Sequence, residues 1–244
     1  MRGFLVALQS LTIIPTKLQG TVREEDRTKS RVYFPLVGLL LGVVLVLVNL
    51  ISSFLFPPLA AKALVLTALV ILTGALPLEG FANACEGFFS RKGREETLSV
   101  MRENRLGVKG GISLIFLLLV KLALLYGLVK VVEFRALLLM PVIGRWAMVI
   151  IGTYAGEMSK EDNVSACNKN DYRGPLRASI ITFIISLLLF RFFVIPLMLI
   201  VYLSILAVRW FSMKKLGGVT SEVLGATVEL MEVVALMLIV FMIK

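Results

Sequence analysis

Histidine is absent from the 244-residue chain. That removes imidazole as a general base and excludes the usual zinc centres. Cysteine is scarce: Cys85 and Cys167 stand at no metal-ligand or disulfide spacing and read as small apolar fillers. Charge is thin at 17% of residues, against about a quarter in a soluble domain. No linker divides the chain, so residues 1–244 read as a single integral membrane domain. No internal repeat or matched pair of interrupted helices points to a transporter. The basic residues are spread over loops without aromatic interleaving, which leaves nucleic-acid binding unsupported. A cleavable signal peptide is not expected, because Phe4–Ile14 is a short apolar stretch with no small-residue cleavage site before Pro15 and Lys17.

Hydrocarbon fills the space those absences leave. Apolar residues make up 58% of the chain, and the mean hydropathy is +0.92. Apolar stretches approach or exceed the ~20 residues that span a bilayer. The expected fold is all-α, a polytopic membrane helical bundle of about seven spans. These are 34–56, 59–76, 112–131, 136–154, 179–190, 192–208 and 222–243, with Arg191 separating the fifth from the sixth as two spans or one broken hairpin. Residues 1–15 are expected to lie in the interface or re-enter it.

Basic residues collect in four segments: 16–33 with Lys17, Arg23, Arg27, Lys29 and Arg31; 78–111 with Arg91, Lys92, Arg94, Arg102, Arg105 and Lys109; 155–178 with Lys160, Lys169, Arg173 and Arg177; and 209–221 with Arg209, Lys214 and Lys215. Seven spans place all four on one side. Lys62, Lys130, Arg135, Arg191 and Lys244 are left for the other. The excess of positive charge marks the shared side as cytoplasmic, in the cytoplasmic membrane. The same charge reads as topology and attraction to anionic membrane lipid, or as a basin for a polyphosphate substrate. The two readings are compatible.

Every polar motif falls on that side. Glu79, Asn83 and Glu86 sit at i, i+4 and i+7, three metal-capable oxygen side chains on one helical face where a span meets water. A lone carboxylate near a helix start is commonly a dipole or capping partner, but capping does not explain a face of three. Gly80 and Gly87, each directly after one of the glutamates, permit close approach of backbone and ligand. In 101–111, Arg102 and Arg105 offer planar forks for phosphate oxygens, Lys109 adds charge, and Glu103 offers another ligand. In 217–226, Gly217 and Gly218 turn into the last helix, which Thr220 or Ser221 can cap. Glu222 then reads as a dipole partner or as a ligand. Arg145, inside a span, is by default functional or paired; Lys121, mid-span, pairs with a carboxylate or lines a cavity.

These blocks resemble the cobalamin-5'-phosphate synthases (adenosylcobinamide-GDP ribazoletransferases), integral membrane enzymes of cobamide assembly. The resemblance runs nearly end to end, through F-L-V-A-L-Q-S-L-T-I-I-P-T (4–16), V-Y-F-P-L-V-G-L-L-L-G (32–42), L-T-G-A-L-P-L-E-G-F-A-N-A-C-E-G-F-F (72–89), R-E-N-R-L-G-V-K-G (102–110), G-R-W-A-M (144–148) and G-G-V-T-S-E-V-L-G-A-T-V-E-L-M-E (217–232). The family's acidic signature reads H-L-D-G-L-A-D-x-x-D-G. Here Pro77 replaces the histidine, Glu79 and Glu86 replace aspartates, and Asn83 replaces the middle aspartate. Glu103-Asn104 stands for Asp-Ser, Ser221-Glu222 for Gly-Asp, and Tyr154-Ala155-Gly156 for Tyr-Ala-Arg. The departures gather at polar positions, as in a relative with altered chemistry or a redesigned scaffold of the same fold.

The resemblance implies a Mg²⁺-dependent transferase that joins ribazole 5'-phosphate to adenosylcobinamide-GDP and releases GMP. Mg²⁺ falls to Glu79, Asn83 and Glu86, and the chemistry to Glu79, Glu86, Glu103 and Glu222. Substrate binding falls to Arg102, Arg105, Lys109, Arg145, Gly87, Gly217 and Gly218. A catalytically silent scaffold is the alternative reading, and a transporter a third. A homo-oligomer is left open. The D-x-x-D-G-x-x-A-R pattern of the CDP-alcohol phosphotransferases is absent, so that group is a mechanistic parallel only.

Overall fold

A computed structural model describes residues 2–16, 21–90, 93–103, 105–154 and 173–243. Lys17, Arg91, Lys92, Asn104, Ala155, Gly156, Lys160, Cys167, Lys169 and Lys244, all singled out above, lie outside the described residues. The described elements are helical: α1 (Arg2–Leu11), α2 (Glu24–Ser30), α3 (Phe34–Leu55), α4 (Pro58–Thr73), α5 (Leu76–Phe88), α6 (Arg94–Arg102), α7 (Val108–Tyr126), α8 (Lys130–Gly152), α9 (Arg173–Phe190), α10 (Val194–Leu216) and α11 (Ser221–Ile243).

Burial is inverted relative to a soluble protein. Phe54, Phe116, Leu188 and Phe192 are exposed, whereas Lys121, Arg145, Glu229 and Glu232 are buried. That pattern suits a hydrocarbon surround, in which apolar side chains lose nothing by facing outward. Five stretches among the described residues are long and apolar enough to cross a bilayer, and a bent pair, α4 with α5, makes six. The difference from the expected seven arises in one 44-residue run, Arg173–Leu216, which length and composition count once. Arg191 breaks that run with a left-handed φ of 49°. Its first part meets α8 through the Trp146 indole N–H, which donates to Ser179 at 3.0 Å. Its last part returns to the same end of α8, where the Arg209 guanidinium lies 3.9 Å from the Tyr154 ring centre.

The tightest crossing joins α3 to α8. Gly38 and Gly42 form a G-x-x-x-G stripe on α3. A Cβ at Gly38 would lie 2.6 Å from the Pro141 carbonyl oxygen, and one at Gly42 would lie 2.7 Å from the Leu138 Cα. Backbones this close gain the dispersion contacts that hold helices together where water exclusion contributes nothing. Gly42→Val is expected to destabilise the bundle by about 1–3 kcal/mol or more, because the obstructing atoms are backbone. A melting temperature in detergent unchanged from wild type would refute that packing.

Two consecutive left-handed residues, Gly74 (φ 61°) and Ala75 (φ 58°), end α4. The Gly74 N–H donates to the Ile71 carbonyl and the Ala75 N–H to the Val70 carbonyl, both at 3.0 Å. The chain therefore bends by 91°, and α5 runs across the end of the bundle. Proline in the first turn of α5 fits there because that turn has no intrahelical acceptor for its N–H. The N-terminal α1, too short at ten residues to cross, buries Val6, Ala7 and Leu8. Ala7 and Leu8 pack with Val37 in a small cluster of their own. The Ile13 N–H then donates to the Leu72 carbonyl at 2.9 Å, tying this segment to the α4 end. At the opposite end, Lys62 on α4 donates to the Asn49 amide oxygen on α3 at 2.7 Å and pairs with Glu133 on α8.

Candidate functional site

A cavity of about 280 Å³ lies where α1, α5, α8 and α11 converge. Its polar lining is Ser10 from α1, Glu79 and Asn83 from α5, Arg145 from α8, and Ser221 and Glu222 from α11. The 91° bend makes this possible, because it turns the Glu79–Asn83 face of α5 toward the first turn of α11. Two glycines set the separation. A Cβ at Gly80 would lie 3.0 Å from the Gly225 Cα, and one at Gly225 the same distance from the Gly80 Cα. Larger residues at either point would push Glu79 and Glu222 apart.

The Thr220 hydroxyl oxygen accepts the Val223 N–H at 3.4 Å, capping α11 as expected. Glu222 stands in the first turn of α11, where the helix dipole favours a carboxylate. It also lines the cavity. Its Oε2 is buried and has no hydrogen-bond partner among the described residues. An orphaned carboxylate oxygen is costly unless something supplies the missing charge.

Glu86 is placed elsewhere. Seven residues beyond Glu79 is about 10.5 Å along the helix. From there its Oε2 accepts the Gly110 N–H at 2.7 Å, at the start of α7. It thereby satisfies a backbone donor of that helix and favours its dipole. Gly87 gives room to Met101 and to the Thr97 carbonyl, which a Cβ would approach to 3.1 Å. Gly217 is the left-handed cap of α10 (φ 73°), set against the Arg94 guanidinium, and the Gly218 carbonyl accepts the Ser212 hydroxyl at 2.5 Å. These glycines build the approach of α5, α6, α10 and α11. Arg102 and Glu103 line a separate open depression of about 500 Å³ with Glu95 and Ser99. Arg105 is exposed on the loop before α7. The Lys109 ammonium donates to the Phe89 carbonyl at 2.7 Å.

Behind the cavity the protein holds four charges that touch no lipid. Lys121 on α7 donates to Glu229 Oε2 at 2.5 Å and to Glu232 Oε2 at 2.7 Å. The other oxygen of Glu232, Oε1, accepts from Nη1 of Arg145. Each of the four is 5% exposed or less. Lys121 and Arg145 thus have their partners on α11, 108 and 87 residues away. Gly144 leaves room for the Glu232 side chain; a Cβ there would come within 2.9 Å of its Oε1. Glu229 and Glu232 escaped selection as site residues, although they lie within the quoted block 217–232. Two carboxylates at i and i+3 in an apolar span, with no basic residue near them in sequence, were the available signal.

Among the described residues no group of three or more acidic or cysteine side chains is placed to hold a metal ion. Glu79, Asn83 and Glu222 nevertheless give an all-oxygen donor set. Mg²⁺ commonly binds through one or two carboxylates, keeping waters and taking phosphate oxygens as further ligands. The buried, unpartnered Glu222 Oε2 has the chemistry of a cation ligand.

The helices and the cavity define a polytopic all-α membrane protein with an acid-and-guanidinium site at the motif-bearing end of its bundle. Comparison with known proteins makes the assignment specific: the model of the family described as cobalamin-5-phosphate synthase matches residues 3–240, and the chain belongs to that family. Proteins named adenosylcobinamide-GDP ribazoletransferase are similar throughout. That of Geotalea daltonii is 32% identical over 98% of this chain and 97% of its own. That of Clostridioides difficile is 30% identical over 100% and 98%. That of Pseudomonas syringae pv. syringae is 34% identical over 97% and 98%. No solved structure matches.

Proposed function

We propose that this protein joins ribazole 5'-phosphate to adenosylcobinamide-GDP and releases GMP. One observation carries the reading beyond family membership: Glu79, Asn83, Glu222 and Arg145, from three separate helices, line one cavity. A pyrophosphate reaction needs that combination. The ribazole hydroxyl attacks the phosphorus that bears the cobinamide, a new P–O bond forms, and the P–O bond to GMP breaks. The hydroxyl proton passes to Glu79 or Glu222, the two carboxylates of the cavity. Arg145 steadies the charge on the phosphate oxygens. Glu79, Asn83 and Glu222 are the residues that would hold Mg²⁺, which when bound supplies neutralisation of pyrophosphate charge.

At about 280 Å³ the cavity accommodates the reacting phosphates and leaves the corrinoid outside. Arg102, Arg105 and Lys109 stand beyond the cavity and make the approach positive, which favours anionic substrates. In this reading the motif-bearing end faces the cytoplasm from the cytoplasmic membrane.

The test is GMP release from adenosylcobinamide-GDP and ribazole phosphate by the protein in nanodiscs, with and without Mg²⁺. Release that depends on both substrates and on the metal is expected. Substrate bound without any GMP would overturn the transferase reading; metal-independent release would overturn the Mg²⁺ assignment alone.

A further inference from the structure

The four buried charges divide into two halves, only one of which reaches the cavity. Arg145 is 2% exposed and forms part of the cavity wall with Glu79, Asn83 and Glu222. It also borders a second, water-sized space of about 10 Å³, which Lys121, Glu229 and Glu232 line from the other side. Glu229 contributes to that inner space alone and to the cavity not at all. Glu232 is the link, with Oε1 accepting from Arg145 and Oε2 accepting from Lys121.

Arg145 shares the cavity wall with two carboxylates, Glu79 and Glu222, which are its alternative partners. Glu222 Oε2 is buried without a hydrogen bond among the described residues, and an Arg–carboxylate pair in such surroundings is strong. An Arg145 free to swing would close onto Glu222, and the site would lose its anion-binding donor and an acid together. Glu232 holds the Nη1 edge of Arg145 on the inner side. Lys121 carries a single positive charge against two carboxylates, so it can balance Glu229 fully and leaves Glu232 its charge for Arg145.

We infer that Glu232 is a positioning residue: it tethers Arg145 at the cavity wall and off the catalytic carboxylates, while Lys121 and Glu229 serve as its compensating base. The inference rests on the transferase reading for what the cavity binds. It assigns Glu232 a role in substrate affinity that Glu229, three residues earlier on the same helix and equally sequestered, does not share.

Two double variants make a matched test. Lys121→Met/Glu232→Met and Lys121→Met/Glu229→Met each remove one positive and one negative charge; the first leaves Arg145 and Glu229 without their bonded partners, and the second keeps the bonded Arg145–Glu232 pair. Balanced replacement of buried ions by apolar side chains is commonly tolerated by a fold. The variant without Glu229 is expected to melt near wild type and the variant without Glu232 lower, so binding is compared well below both melting temperatures. The variant without Glu232 is expected to bind adenosylcobinamide-GDP in nanodiscs at least ten-fold more weakly than wild type, with GMP release lowered in step. The variant without Glu229 should stay within three-fold on both readings. Equal losses in the two variants, or no loss in either, would overturn the inference. Should the Glu232 variant fail to fold, Glu232→Gln with Lys121 intact takes its place: binding within three-fold of wild type would overturn the inference, and a ten-fold loss reversed by Glu232→Asp would support it. Wild-type binding without GMP release would sink the transferase reading and leave the affinity comparison standing. No wild-type binding at all would overturn both.

Discussion

Glu79→Gln and Glu222→Gln are each expected to lower the rate of GMP release at saturating substrates by about 100-fold or more, the scale of losing a positioned acid–base or charge-holding group. Glu86→Gln should cost less than about ten-fold in the same assay, because its carboxylate is committed to the Gly110 N–H at the head of α7. Its main effect should be on the melting temperature. The comparison separates two models of the site. If the i, i+4, i+7 face of α5 acts as one metal cradle, Glu86→Gln is as damaging as Glu79→Gln and Glu222→Gln is mild. If the cavity between α5 and α11 is the site, the order is reversed. Measured turnover numbers for the three purified variants, with folding checked by thermal melting, decide between them.

Lys121→Met alone should be the most damaging single change to stability, by about 3–5 kcal/mol. The reason is arithmetic in charge: Glu229 and Glu232 would be left facing each other with only Arg145 between them and the bulk of the bundle. One of the two buried negative charges would then have no compensating positive charge, which is costly. The prediction is a sharp loss of folded protein in detergent, relieved when Glu229→Met is added to the same chain, which leaves the Arg145–Glu232 pair intact. A Lys121→Met protein that melts like wild type would show that the quartet carries no net charge balance of its own.

Much of the architecture was legible because hydropathy reports burial in a bilayer directly. The long apolar runs of α3, α7, α8 and α11 announce themselves, and the glycines 38 and 42 stand at helical spacing in an otherwise bulky segment. The bend between α4 and α5 was not legible. Ala75 adopts a left-handed φ with no local preference for it, and α5 packs closely on α11 at Gly80 and Gly225, a contact no local pattern encodes. The site was half legible for the same reason. Helical spacing correctly put Glu79 and Asn83 on one face, but periodicity cannot say where a face points or when a neighbouring helix start claims a carboxylate, as α7 claims Glu86. Arg145 and Lys121 were recognisable as charges in need of company, yet their partners lie 87 and 108 residues downstream. No local pattern encodes a pairing at that range.

That separation also sets a problem for the nascent chain. Lys121 leaves the ribosome 108 residues before Glu229, an interval of roughly 5–20 s at ordinary translation rates. Through that time α7 is a hydrophobic segment with a bare ammonium in its C-terminal half, at a cost of up to about 2.5–3.5 kcal/mol to lodge in lipid. The helix that removes the cost is made 108 residues later. Insertion of α7 is therefore provisional until α11 is made, and the arrival of α11 supplies in one event the partners of Lys121 and a wall of the cavity.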